Sequence, residues 1–153
     1  MKKLFLISLT TGILCGIWFY LGGILKIPVW MGFAGCTAFF AGGGLEDQGF
    51  KKAFFSTLSG VFWACIIIFL CKFFKEQYIF AVITGIVTFF MCFQGAHKLF
   101  AFIPGTFIGG FSTFAAEGNW EKISIGLILG IILGFSCDYS GQKLFKYFDK
   151  NNL

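Results

Sequence analysis

Six apolar runs follow one another along the chain: Leu4–Gly22, Pro28–Gly44, Ala53–Cys71, Tyr78–Gln94, Leu99–Ala116 and Ile123–Tyr139. Short charged breaks separate them, so no arrangement of these residues gives a domain with a water-facing exterior. Hydrophobic residues make up 58% of the 153 positions, aromatic residues 21% and charged residues only 12%, which excludes a soluble fold of this length. The solvent is lipid. At a rise of roughly 1.5 Å per residue, runs of about 17 to 19 residues barely cross a hydrocarbon core about 30 Å thick. The reading is therefore an all-α integral membrane protein with six short, fairly upright transmembrane helices. A spanning β-barrel would alternate polar and apolar residues, and Ile66-Ile67-Ile68-Phe69-Leu70 does not alternate.

Charge placement predicts orientation. The net charge of +5 comes from lysines alone. In a six-span arrangement Lys2, Lys3, Lys51, Lys52, Lys98, Lys143, Lys146 and Lys150 share one side, and Lys26, Lys72, Lys75 and Lys122 the other. The larger group marks the cytoplasmic face, so both termini are expected there, with 142–153 as a short cytoplasmic tail. Lysines at helix ends snorkel to the interface, and a nucleic-acid partner is not expected from them. Lys2 and Lys3 ahead of an apolar run imitate a secretory signal, but no small-x-small cleavage site follows, so the first run is kept as a helix.

Internal similarity predicts organisation. FAGCTAFFAGGG at 33–44 recurs in looser form as FIGGFSTFAAEG at 107–118, which pairs Phe33 with Phe107, Gly35 with Gly109, Phe40 with Phe114, Ala41 with Ala115 and Gly44 with Gly118. The same offset carries Gly60 onto Gly134, and Thr11-Gly12-Ile13 recurs as Thr84-Gly85-Ile86. The chain then reads as one membrane domain of two three-helix repeats, about 4–71 and 78–141. An odd number of spans in each half places the halves in opposite orientations, an inverted repeat of the kind found in many transporters and channels. Within each half the middle run has a proline near its start, Pro28 or Pro104, and glycines toward its end. Short, Gly/Pro-interrupted runs at corresponding places point to a solute path where the halves meet, while the Ile- and Phe-rich third and fourth runs are expected to face lipid. Gly12-x-x-x-Gly16, Gly105-x-x-x-Gly109 and Gly126-x-x-x-Gly130-x-x-x-Gly134 equally fit close helix packing.

Catalytic and metal chemistry finds little support. His97, the only histidine, lies in a break beside Lys98 without a nucleophile or ligand partner in the nearby sequence. The six cysteines form no C-x-x-C pair and read as small packing residues. No enzyme activity, metal or cofactor is expected. Asp138 is the best candidate for an ionisable group in the membrane, either in a coupling role or paired at the interface with a lysine such as Lys143. Without buried acid pairs or histidine chains, a passive path is favoured over a proton-driven one.

Several blocks of this sequence also carry a family resemblance: Thr10-Thr11-Gly12-Ile13-Leu14, Gly32-Phe33-x-Gly35-Cys36-Thr37-Ala38, Leu58-Ser59-Gly60-Val61-x-Trp63-Ala64, Val82-Ile83-Thr84-Gly85-Ile86-Val87 and Pro104-Gly105-Thr106-Phe107-Ile108-Gly109. Together they make the chain, over about 8–141, resemble the YcdZ-like family of small bacterial inner-membrane proteins, defined by a domain of unknown function. The resemblance implies an inner-membrane location and brings no substrate or catalytic residue to map. After the second run, Gly42-Gly43-Gly44 is followed here by Glu46 and Asp47, whose charges bear on any specificity set at that mouth.

The expected function is a channel or facilitator for a small neutral or weakly charged solute. Thr11, Thr37, Thr84, Thr106 and Thr113 would supply hydrogen bonds, and Phe33, Phe40, Phe107 and Phe114 apolar constrictions. Gly12, Gly35, Gly85, Pro104, Gly105, Gly109 and Asp138 complete the expected path. The alternative is a structural or regulatory membrane protein that binds itself or a larger partner through its glycine faces. A homo-oligomer in the lipid bilayer is expected in either case.

Overall fold

A computed structural model of the chain describes residues 1–150; positions 151–153 of the expected tail and the side chain of Lys150 lie outside the described residues. The elements in order are α1 (Lys2–Leu25), α2 (Val29–Ala41), α3 (Gly49–Cys71), α4 (Gln77–Phe93), two 3-10 turns (Gln94–Ala96 and Lys98–Phe100), α5 (Ile103–Ala115) and α6 (Trp120–Lys150). Among the described residues there are six α-helices, but four of them, α1, α3, α4 with its following turn, and α6, have the length and apolarity to cross a membrane. With 13 residues each, α2 and α5 are only about 20 Å long, shorter than the runs of about 17 to 19 residues expected for them. Both middle runs are longer in apolar sequence than in helix. Pro28 precedes α2 and Pro104 stands in the first turn of α5, where a missing N–H costs nothing. At the far ends Gly43 and Gly44 have positive φ after α2, as do Glu117 and Gly118 after α5. Helix α6 in turn continues through most of the segment expected as a tail.

The centre of the bundle is built from α2 packed on α6 and α5 packed on α3, while α1 lies along α6 and α4 rests chiefly on α3. Ala53, Ser56, Thr57, Gly60, Val61, Ala64 and Ile67 put a buried stripe at helical spacing on α3. The expectation that the third run faces lipid is thereby corrected. Its inner face carries small residues and its outer face large apolar ones, so hydropathy alone does not separate them. Only Val87 and Met91 of α4 are buried, and that run does lie at the periphery. Ile108 of α5, half-buried, packs against the cluster of Met31, Val61, Ile123 and Leu127 and against that of Ala38, Phe39, Ala53 and Ile131.

Two helix crossings bring backbone onto backbone. A methyl at Gly35 would collide with the Leu127 carbonyl of α6, and one at Gly130 with the Gly32 carbonyl of α2. In the other crossing a methyl at Gly109 would collide with the Thr57 carbonyl of α3, and one at Gly60 with the Thr106 carbonyl of α5. The contacts correspond one to one: Gly35 with Gly109, Gly32 with Thr106, Leu127 with Thr57, and Gly130 with Gly60. Gly60 thus corresponds to Gly130 and not to Gly134, as the sequence offset suggested. The connection from α5 to α6 is shorter than that from α2 to α3 by about one helical turn, which shifts the register without changing the face. Gly134 instead packs on the Phe39 side chain.

One end of the bundle is tied together by polar contacts. Lys3 pairs with Glu46 at 2.5 Å, and Lys52 pairs with Asp47. Asp138 accepts a hydrogen bond from the Leu45 backbone N–H (2.9 Å) and another from the Gln142 amide (2.9 Å), so its carboxylate closes the 42–48 loop onto α6. Gly44 has φ +60 and comes so close that a methyl there would meet Asp138 Oδ2. Elsewhere α1 is fixed by Thr10, whose hydroxyl donates to the Cys137 carbonyl (2.9 Å), and by Trp18, whose indole donates to the Val29 carbonyl (3.0 Å).

Candidate functional site

The two crossings share a backbone arrangement and differ in what lines them. Between α2 and α6 the side chains are apolar: Met31, Ala38, Phe39, Leu127 and Ile131 are buried there around Gly32 and Gly126. The α3–α5 seam contains Ser56, Thr57, Thr106, Ser112 and Thr113, all without solvent exposure. In the correspondence set by the crossings, Thr106 stands for Gly32, Ser112 for Ala38 and Thr113 for Phe39 on α5, while Ser56 stands for Gly126 and Thr57 for Leu127. Five hydroxyls replace five apolar positions.

Two of those hydroxyls are satisfied within their own helices, Thr57 by the Ala53 carbonyl (2.7 Å) and Thr113 by the Gly109 carbonyl (2.8 Å). Such bonds let a hydroxyl sit in an apolar medium at little cost. Ser56 Oγ, Thr106 Oγ1 and Ser112 Oγ are buried without a partner among the described residues. Each such group costs about 1 to 3 kcal/mol of desolvation if nothing compensates it.

Beside this seam, where α4 ends, Gln94 turns its side chain onto α3. Its Oε1 accepts from Ser59 Oγ (2.8 Å) and from the Trp63 indole N–H (2.9 Å). Its Nε2 is buried and has no partner among the described residues. Nearby, Asp47, Lys52, Lys98 and Phe102 line a recess of about 260 Å³ that also reaches the Gly42-Gly43 turn. The end of α2 and the start of α5 meet at this recess.

The structure disperses the residues that the sequence grouped as a path. Gly105, Thr106, Gly109 and Thr113 are buried against α3, and Gly35 against α6. Asp138 is buried at the 42–48 loop, held by backbone and by Gln142 and not by Lys143. Thr11 is half-buried on α1, whereas Gly12, Thr84 and Gly85 lie on the outside, with nothing close to either glycine. Thr37 and Pro104 are exposed. Phe33, Phe40, Phe107 and Phe114 retain 36–47% of their surface and point out of the bundle, so they form no constriction within one chain. Helices α2 and α5 touch, but each gives most of its inner face to α6 or α3.

Sequence reasoning missed Ser56, Ser59, Trp63, Gln94 and Ser112. In the sequence Gln94 is only the edge of an apolar run, and the serines lack the recurrence between halves that singles out the threonines. The available signal was local: Ser56-Thr57-x-Ser59-Gly60 and Ser112-Thr113 place small hydroxyl residues side by side within otherwise apolar runs. Among the described residues no three His, Cys, Asp or Glu side chains are grouped to hold a metal ion.

Comparison with known proteins adds a family and a location. The profile of the family described as "Protein of unknown function (DUF1097)" matches residues 8–142. The chain is 44% identical over 147 residues to "Inner membrane protein YcdZ" of Escherichia coli (strain K12), covering 94% of this chain and 89% of that protein. It is 43% identical over 148 residues to the protein of the same name in Salmonella typhimurium, covering 94% and 91%. A more distant relative, "Uncharacterized protein YahC" of Escherichia coli, is 28% identical with 90% of each chain covered. No solved structure matches the chain.

Proposed function

We propose that this chain, which belongs to the DUF1097 family of unknown function, is a membrane channel or facilitator for a small neutral or weakly charged solute. In this reading two inverted three-helix halves, α1–α3 and α4–α6, are related by a pseudo-two-fold axis in the membrane plane. The observation that carries it is the pair of reciprocal glycine crossings, in which half-length helices at corresponding places of the two halves each pack backbone to backbone on the last helix of the other half. Paired short helices with proline near the start and glycine near the end, kept in the protein interior, are a recurring design of transport proteins. No catalytic step or cofactor enters the proposal, and both termini face the cytoplasm.

Reconstitution into liposomes tests it. After osmotic challenge with a panel of small neutral solutes, vesicles containing the protein should re-swell faster than protein-free vesicles for a subset of them. Equal rates across the whole panel would leave the reading without support.

A second reading, self-association, is favoured by one feature of α1. Gly12, Gly16 and Gly23 have nothing within 4 Å of a methyl at each position, so an open small-residue face is left toward the lipid. Such a face suits close approach of a second copy. Native mass spectrometry in mild detergent should then show oligomers that disappear in Gly16→Leu, and monomer throughout would count against it.

A further inference from the structure

We propose that the Gln94 amide, together with the hydroxyls of Ser56 and Thr106, binds a small uncharged solute through its carbonyl or hydroxyl oxygen, and that this solute arrives from the recess behind Phe102. The proposal names the solute class for the facilitator reading and rests on that reading for any passage of the solute after it binds.

Hydrogen-bond chemistry fixes the amide. An indole N–H only donates, so the Gln94 atom facing Trp63 must be the oxygen, and the nitrogen cannot exchange places with it. Two N–H donors on Nε2 are therefore held in a buried place with no acceptor. Ser56 lies one helical turn before Ser59, the other residue that holds Gln94, so the two serines are neighbours on the α3 surface. The start of α5 closes on the same stretch of α3, since a methyl at Gly105 would lie 3.0 Å from Ser56 Cβ and one at Gly60 would collide with the Thr106 carbonyl. Three residues with orphaned polar atoms, on α3, on α5 and at the end of α4, thus come from elements that meet along Ser56–Gly60. All three residues are neutral, and an ion placed among them would be desolvated without a counter-charge. An oxygen that accepts from the amide and exchanges hydrogen bonds with the hydroxyls meets every requirement, which fits a small amide or polyol.

Access depends on Phe102. Its side chain lines the recess, and its ring lies over Gly105 in the position a Cβ there would take. The same ring therefore separates the charged rim, Asp47, Lys52 and Lys98, from Ser56. Swinging it aside would open the recess toward Ser56.

Acetamide and glycerol are suitable probes for the full chain in lipid nanodiscs. Either should give a saturable change in tryptophan emission that is absent in Trp63→Phe, because Trp63 shares the Gln94 oxygen. Half-saturation should rise at least tenfold in Ser56→Ala and Thr106→Val, near-isosteric changes that remove orphaned hydroxyls and leave the packing in place. Phe102→Ala should speed the response. No saturable change with either probe, or an unchanged half-saturation in both variants, overturns the proposal. So does a thermal midpoint that falls in both variants with no response to the probes, which marks a resident structural water instead. Flux in liposomes separates this outcome from the facilitator reading. Binding lost in the variants but without flux keeps the site and removes transport; wild-type flux retained in Thr106→Val keeps transport and removes the site.

Discussion

The α2–α6 and α3–α5 crossings are nearly the same object in backbone and different objects in chemistry. In both, a short helix presses glycine and carbonyl against a long helix at matching positions. One is filled by Met31, Ala38, Phe39, Leu127 and Ile131; the other holds five hydroxyls, three of them without partners. Close approach is a demand of geometry, and glycine meets it in both places. Buried hydroxyls are not needed for that approach, because the α2–α6 crossing makes it without them. The hydroxyls therefore call for an explanation other than packing, and the orphaned Gln94 amide beside them points the same way.

The largest expected effect tests the common backbone. Gly35→Leu and Gly109→Leu should each destabilise the bundle by upwards of about 3 kcal/mol, because the added side chain meets main chain and not a movable rotamer. Loss of monodisperse protein in detergent is the readout. A severe effect at one position and none at the other would break the equivalence of the crossings.

Next comes exchange of chemistry between the seams. Ala38→Ser puts a hydroxyl into the apolar seam at a site with no exposure, and should lower stability by about 1 to 3 kcal/mol if it stays unpaired. Ser112→Ala, the reverse change at the corresponding position, should leave stability equal or raised by up to about 1 kcal/mol. Thermal midpoints of the two variants, measured without added solute, decide the matter; opposite signs sharpen the contrast and equal signs dissolve it.

The loop end offers a further check. Asp138→Ala removes the acceptor for the Leu45 N–H and should cost about 1 to 3 kcal/mol, whereas Asp138→Asn, which keeps an acceptor oxygen, should cost less. Equal losses would mean that the charge and not the hydrogen bond holds the loop. The smallest effect is expected at Thr84, on the outside of α4, where Thr84→Val should change the thermal midpoint by no more than about 0.5 kcal/mol equivalent. A larger change there would show that α4 has a partner the single chain does not supply.

Much of the fold was legible because lipid imposes simple rules. Apolar runs located all six helices, and the glycine spacing of Gly105-x-x-x-Gly109 and Gly126-x-x-x-Gly130 marked faces that do pack closely. Hydropathy was blind to which runs form short helices, since the residues flanking α2 and α5 are apolar without being part of them. It was equally blind to direction. Phe33 and Phe107 repeat in sequence as plainly as Gly35 and Gly109, yet the rings look outward and the glycines inward.

By itself, then, the sequence determined that this chain lives in a membrane as a helical bundle, because no other fold satisfies its backbone in lipid with so few polar side chains. It also carried the family resemblance that comparison established. Tertiary structure alone decided the register between corresponding helices, the outward turn of the phenylalanines, and the convergence of Gln94 and the start of α5 on the Ser56–Trp63 stretch of α3. The physical reason is that an apolar medium rewards no particular face of an apolar helix. Which residues meet is settled by fit between helices, where a carbonyl needs a glycine opposite it and a donor needs an acceptor, and those partners lie far apart along the chain.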